Sequence, residues 1–303
     1  MSTKIEYVDL SANPVVGCSH CSPGCDNCYA ERRAAILAKN PNPKISGKYA
    51  GVVDKHGKWT GKLSALDLSC FSKLPKKPKS VFVGSMADVF HINNSFSNLR
   101  ILFAAMMAQP QHTFMLLTKR HDRMWSFMDD HRSLAAPNVW LGVTVCNQAE
   151  ANKKIPVLLQ TPAAKRFVSV EPMLGVINLR KAYPQEYMYC SLCKWHGYSD
   201  DLVRKMAGIY QEEYCPVCGN DGTFALDYPY EDSELALGGM DWVICGGETG
   251  PKARPMHPDW VRSLRDQCKA SRCQPTPFFF KSWGGKRRSD RLLDGCEWNE
   301  VPI

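Results

Sequence analysis

The chain has 303 residues, 44% of them hydrophobic, with 14 cysteines and a formal net charge of +8. That is ample for a sizeable core in one large domain, or in one domain with an insertion, and the modest charge permits a polyanionic partner without demanding one. No run is long enough to span a membrane, and MSTKIEYVDL at the N-terminus holds no apolar signal segment. The expectation is a reduced, cytoplasmic protein whose clustered cysteines are metal ligands, not disulfides.

A first strand is expected near Pro14 to Val16. The run GCSHCSPGCDNCYAE follows, with Cys18, Cys21, Cys25 and Cys28. Cys21 to Cys28 gives Cys-x3-Cys-x2-Cys, a spacing that holds a 4Fe–4S cluster by three thiolates and leaves one iron open to a substrate or cofactor. Cys18, Cys25 and Cys28 give a second trio, Cys-x6-Cys-x2-Cys. Both trios share Cys25 and Cys28, and a structural zinc knuckle built from all four thiolates is the alternative. Residues 41–79, rich in Lys, Gly and Pro, read as a long loop.

Short apolar runs then alternate with amphipathic ones. VFVG (Val81 to Gly84), FMLL (Phe114 to Leu117), VWLGV (Val139 to Val143), RFVSV (Arg166 to Val170), WVIC (Trp242 to Cys245) and FFF (Phe278 to Phe280) read as buried strands. Helices are expected from about Phe96 to Gln109, from His121, and from Gln148 to Leu159. Buried strands alternating with helices imply parallel βαβ units, and six or seven of them fit an α/β fold with a partial or complete parallel (β/α) barrel. In such barrels the site lies where strands end. Polar or glycine residues recur there: Ser85 and Asp88, Lys119 and its neighbours Thr118 and Arg120, Thr144, Ser169 and Glu171, Gly246, Gly247 and Glu248, then Lys281 and Trp283. Taken singly each reads as a cap or turn residue; together they form a ring of donors and acceptors. Gly246 and Gly247 lack Walker spacing and read as points where a ligand approaches a strand end closely.

Residues 180–238 separate two strands by more than a crossover needs and read as an inserted module, leaving 1–179 and 239–303 for the barrel. Cys190-x2-Cys193 and Cys215-x2-Cys218, separated by 21 residues, predict a four-cysteine zinc ribbon, with a second Fe–S cluster as the alternative. The basic runs KKPK (Lys76 to Lys79) and KRR (Lys286 to Arg288) read as phosphate contacts or as solvated faces.

The segments NPVVGCSHCSPGCDNCYAE, VFVGSMADVFH, LLTKR, RFVSVEPMLG, WVICGGETGPKARPM and FFFKSWGG resemble, in order, the motifs of a phage and bacterial family with a three-cysteine motif, radical-SAM-like and of unknown function. That resemblance implies Cys18, Cys25 and Cys28 as cluster ligands, with Cys21 as the alternative to Cys18, and places Tyr29 near the adenine of S-adenosylmethionine. The first four strand ends are also similar to those of spore photoproduct lyases, radical SAM enzymes that repair a thymine dimer in DNA. This likeness implies Ser85 and Asp88 at the methionyl amine, Lys119 at the carboxylate, and Thr144 at the carboxylate or ribose.

The expected function is thus a radical S-adenosylmethionine enzyme. Its 4Fe–4S cluster, supplied by an electron donor, would generate a 5′-deoxyadenosyl radical that acts on a nucleobase, nucleotide or DNA. The alternative is a metal-stabilised module that binds nucleic acid or protein without turnover.

Overall fold

Seven short strands, six of them rich in β-branched and aromatic residues, form one sheet in which every neighbouring pair is parallel. The structure, a computed structural model, describes residues 3, 5–182, 187–190, 196–198, 203–207, 210–214, 217–219, 223–225, 239–270, 275–286 and 290–302. The strands are β1 (Leu10–Ala12), β2 (Ser80–Val83), β3 (Thr113–Thr118), β4 (Val139–Thr144), β5 (Lys165–Val170), β6 (Trp242–Gly246) and β7 (Phe278–Ser282). Their order across the sheet is their order along the chain. Each right-handed crossover therefore steps the same way, which puts the connecting helices on one face.

Those helices are α1 (Tyr29–Leu37), α2 (Phe96–Met107), α3 (His121–Asp130), α4 (Gln148–Gln160) and α5 (Pro258–Lys269). The caps set their starts: the Ser95 side chain accepts from Asn98 N, and the Asn147 side chain from Glu150 N. Leu99, Leu102, Phe103 and Met106 of α2 recur at helical spacing and are fully buried. They join Val81, Val83, Phe114, Leu116, Val143 and Val168 in the main core between sheet and helices. At roughly 1.5–3 kcal/mol for each large apolar side chain, this layer dominates the stability.

Alternate residues face the other side. Phe82, Met115, Phe167, Trp242, Ile244 and Phe279 form a second cluster with Tyr7 and Val8. The Tyr7 ring lies 6.3 Å from Phe82 on β2 and 5.8 Å from Phe279 on β7, centroid to centroid. Five strand spacings in a flat sheet would span about 24 Å. One ring can touch both strands only because the sheet curls, so Tyr7 sits on the concave side. Closure stops short of a full barrel. The outer edge of β7 is taken by the C-terminal segment, where Phe280 N donates to Trp298 O at 2.8 Å and Phe279 bridges Asn299 antiparallel. β1 is the other edge.

Six expected strands and three expected helices lie where their patterns place them. The first strand does not: it is Leu10–Ala12, not Pro14 to Val16. Val15 and Val16 are buried, but in the connection that carries the cysteines, held by Ser64 Oγ (3.1 Å from Val16 N) and Met86 O (3.1 Å from Gly17 N). The expected loop of residues 41–79 contains only single helical turns, Pro43–Ser46, Gly47–Tyr49 and Ser69–Ser72, besides a Val53–Trp59 bridge.

Between β5 and β6, Tyr187–Cys190 pairs antiparallel with His196–Tyr198 and with Thr223–Ala225, and Val203–Ala207 pairs with Tyr210–Tyr214. Of the expected zinc ligands, Cys193 and Cys215 lie outside the described residues, Cys190 ends a strand, and Cys218 is exposed in a turn. No helix among the described residues is long and apolar enough to cross a membrane.

Candidate active site

The C-terminal ends of the strands surround a cavity of about 970 Å³. Over it lies the cysteine loop, which leaves β1 and enters α1. Ser22 caps the short turn Pro23–Cys25, with Gly24 N donating to its Oγ at 3.1 Å, and Cys28 N donates to Cys25 O at 3.2 Å. Cys28 then stands at the start of α1.

Two arginines fasten this loop. Arg120, just beyond β3, donates through Nη2 to Ser19 O and Ser19 Oγ, both at 2.9 Å, and through Nη1 to Asp88 Oδ2 at 3.0 Å. Arg254, beyond β6, donates to Pro23 O at 2.8 Å and to Asp26 Oδ2 at 3.0 Å. It is itself held by Glu248, through Nε at 3.0 Å and Nη2 at 2.6 Å, while Asn27 Nδ2 donates to the same carboxylate at 2.9 Å. Glu31 on α1, buried, completes the frame. It accepts from Trp59 N at 2.9 Å and pairs with Lys58 and His20, each at 3.0 Å.

Cys18, Cys25, Cys28, Tyr29, Ser85, Asp88, Lys119, Thr144, Glu171, Gly247 and Glu248 all line the cavity, whereas Cys21 does not. Cys21 interacts instead with Cys25. That interaction, helped by the charges of Lys119 and His20, brings the Cys25 thiol down to about 5, and the same interaction together with burial pushes Cys21 up. Burial and then the Asp88 carboxylate push Cys18 up, against the pull of Arg120. Burial alone would lower Lys119, but Cys25, Cys146, Cys28 and Asp88 hold its ammonium above the ordinary lysine range. Lys119 is thus a fixed positive charge among sulfurs. Glu171 Oε1 pairs with Lys281 at 2.9 Å and its Oε2 accepts from Ser169 at 3.0 Å. Tyr29, half exposed, donates through its hydroxyl to Ser85 O at 2.7 Å. Ser85 Oγ exchanges hydrogen bonds with the Asn13 amide at 3.0 and 3.1 Å.

Four expected binding residues take a different part. Asp88 Oδ1 accepts from Thr118 Oγ1 at 2.7 Å and Phe90 N at 3.0 Å, and Oδ2 from Lys119 N and Arg120 Nη1, both at 3.0 Å. Four donors fill the lone pairs of a carboxylate, so no acceptor position is left for a ligand amine. Glu248 is likewise consumed by Arg254 and Asn27. The glycines serve backbone packing. A Cβ on Gly247 would lie 2.1 Å from Trp283 O, and one on Gly246 would lie 2.7 Å from Glu171 Oε1. Their missing side chains admit a neighbouring loop and a carboxylate, and Gly247 also lies on the cavity wall.

Arg254 and Cys146 carried no signal of their own in the sequence. Arg254 sits in the GPKARPM stretch as one of many basic residues. Cys146 is buried behind the cysteine loop, its Sγ 3.8 Å from Ser22 Oγ and 2.5 Å from where a Cβ on Gly24 would fall. Burial, then Glu150, raise its thiol to about 11. The KKPK run is at the opposite end of the sheet, before β2, where Lys79 pairs with Asp9 at 3.1 Å.

The donor set suits a 4Fe–4S cluster. Three thiols face one cavity, with a fixed cation and an arginine beside them to offset thiolate charge. The three cysteines of a cubane bind three different irons, so they need not converge on one point.

Over residues 2–302 the chain matches the family described as "Protein of unknown function (DUF5131)", and it belongs to that family. No curated protein matches it. Among solved structures it is similar to a cysteine-to-serine mutant of spore photoproduct lyase, at 11% identity and a TM-score of 0.40, covering 91% of this chain and 65% of that one. It is also similar to a double mutant of that lyase with bound AdoMet and dinucleoside spore photoproduct, at 10% identity and a TM-score of 0.41, covering 90% and 64%. The chain thus spans just under two thirds of the length of these structures.

Proposed function

We propose that this protein is a radical S-adenosylmethionine enzyme. The observation that carries this reading is the convergence of Cys18, Cys25 and Cys28 with Lys119 and Thr144 on one cavity at the C-terminal ends of parallel strands. Those three cysteines would hold a 4Fe–4S cluster. Reduced and bound to S-adenosylmethionine, such a cluster supplies a 5′-deoxyadenosyl radical able to abstract hydrogen.

The protein's own part is positional. Lys119, half-buried and held protonated by the neighbouring sulfurs and Asp88, would neutralise the methionyl carboxylate. Thr144 and the Ser85–Tyr29 pair would border the ribose and adenine. Glu171, fixed by Lys281 and Ser169, faces the remaining space. A volume of about 970 Å³ lies at the upper end of the ~300–1,000 Å³ usual for small-molecule sites, leaving room for a substrate group beside the cofactor. For the segment between β5 and β6, we propose a structural zinc held by Cys190, Cys193, Cys215 and Cys218, supported by the paired CxxC spacing. Metal analysis of folded protein should then find zinc besides iron; iron alone removes that site.

The test of activity is direct. Anaerobic protein with a full cluster, reduced in the presence of S-adenosylmethionine, should release 5′-deoxyadenosine and methionine, and Cys28→Ala should release neither. A fully loaded protein that forms no 5′-deoxyadenosine overturns the reading in favour of a binding module.

A further inference from the structure

The positive charge of this chain is not spread over it. Residues 39–79 hold ten lysines against two acidic residues, Asp54 and Asp67, and so carry a formal +8, the net charge of the whole protein. The rest of the chain is balanced. The fold divides these lysines between two ends. Lys73, Lys76, Lys77 and Lys79 precede β2 at the strand starts. The 41–67 stretch lies instead against the cysteine loop and α1. Gly61 N donates to Cys18 O at 3.1 Å, Trp59 N bonds Glu31, and a Cβ on Gly57 would meet Ala35 Cβ at 3.0 Å.

That stretch carries a second, open pocket of about 470 Å³, bounded by Lys44, Lys48 and Lys62. Lys48 is committed to Asn13 O at 2.8 Å and Asp67 at 3.6 Å. Lys44 and Lys62 are exposed and make no ion pair among the described residues. The cavity wall itself carries Trp59, from this same stretch, and Tyr29, Arg32 and Arg33 of α1. Lysines beside the exposed ring of Tyr29 and the partly buried ring of Trp59 offer what a nucleic-acid strand needs: cations for phosphates, rings for unstacked bases. The cavity reaches a base only when that base is out of a duplex stack.

We propose that the 41–67 stretch is a phosphate track for single-stranded nucleic acid, which leads a base past Trp59 and Tyr29 into the cavity. This rests on the reading of that cavity as the reaction site and adds the substrate class to it.

The test measures binding of a fluorescein-labelled 12-nucleotide single-stranded DNA to the cluster-loaded full chain by anisotropy, without reductant or S-adenosylmethionine. Its outcome is therefore separate from whether the protein cleaves the cofactor. Lys44→Glu with Lys62→Glu should weaken binding at least tenfold and reduce the slope of log K against log salt by about 1.4, at ~0.7 for each lost phosphate contact. Lys76→Glu with Lys77→Glu removes the same charge from the opposite end and should leave affinity within twofold of wild type. Equal losses in the two double variants would mean unspecific attraction and overturn the track. So would tighter binding of a matched blunt duplex, or stronger retention on anionic vesicles than on DNA.

Discussion

Arg254 grips Glu248 through two of its nitrogens and, with its remaining donors, holds Pro23 and Asp26 of the cysteine loop. Glu248 is buried while the Arg254 side chain is 34% exposed, so the pair is worth less than a fully desolvated one. Arg254→Ala should cost about 2 kcal/mol, because it leaves a buried carboxylate with too few donors. It should also lower iron per protein in anaerobic preparations. Arg254→Lys should recover little, since an ammonium cannot make the forked contact. Wild-type urea midpoint and iron content in Arg254→Ala would remove the arginine from the frame of the site.

Asp88 is a structural acceptor. With four donors converging on its buried carboxylate, Asp88→Ala should destabilise the protein by about 3 kcal/mol, read as a lowered urea midpoint. An unchanged midpoint combined with lost S-adenosylmethionine affinity would restore it as a ligand contact.

Lys119 differs from Asp88 in having no hydrogen-bond partner for its ammonium among the described residues, only neighbouring sulfurs and a carboxylate. Lys119→Ala should keep its iron and fold but weaken S-adenosylmethionine binding at least tenfold, about 1.4 kcal/mol, by calorimetry on cluster-loaded protein. Undiminished affinity would take Lys119 out of the cofactor pocket.

The cysteine variants separate the two trios. Cys18→Ala, Cys25→Ala and Cys28→Ala should each abolish the cluster, while Cys21→Ala, which removes a thiol that does not face the cavity, should keep it. Iron retained without Cys18 and lost without Cys21 would invert the assignment.

His91 gives the fold an acid limit. It is buried, accepts from Asn93 N through Nδ1 at 3.1 Å and meets Ser19 Oγ through Nε2 at 2.8 Å, which fixes the neutral Nε2–H tautomer. Burial, then Arg120, lower it from 6.5 to about 4. The unfolded chain therefore binds the extra proton more readily. Its contribution is complete above pH 6.5 and is lost as pH falls towards 4, by up to about 3 kcal/mol. His91→Gln should flatten that part of the stability–pH curve. An unaltered slope between pH 6.5 and 4 in the variant would locate the acid sensitivity elsewhere.

Six strands were legible because fully buried parallel strands are continuous apolar runs with polar residues at their ends. β1 was not, since Leu10–Ala12 is short and only partly buried while the neighbouring valines are more apolar. The strand-end residues line one cavity. The roles of Asp88 and Glu248 were hidden because they depend on which arginine reaches them: Arg120 follows a different strand, and Arg254 sits beyond a loop. The strand pattern left the barrel partial or complete; that it is partial follows from a C-terminal segment hydrogen-bonding β7.

A sheet that is curled but not closed can spread, as a sealed barrel cannot. The cysteine loop crosses the opening and is fastened near β3 by Arg120 and near β6 by Arg254, so it acts as a tie between the two sides. Any group the cysteines hold stiffens that tie. Oxidative loss of the group would then be felt mechanically as well as chemically: the sides of the sheet would loosen together, and proteases would reach apo protein before they reach holo protein.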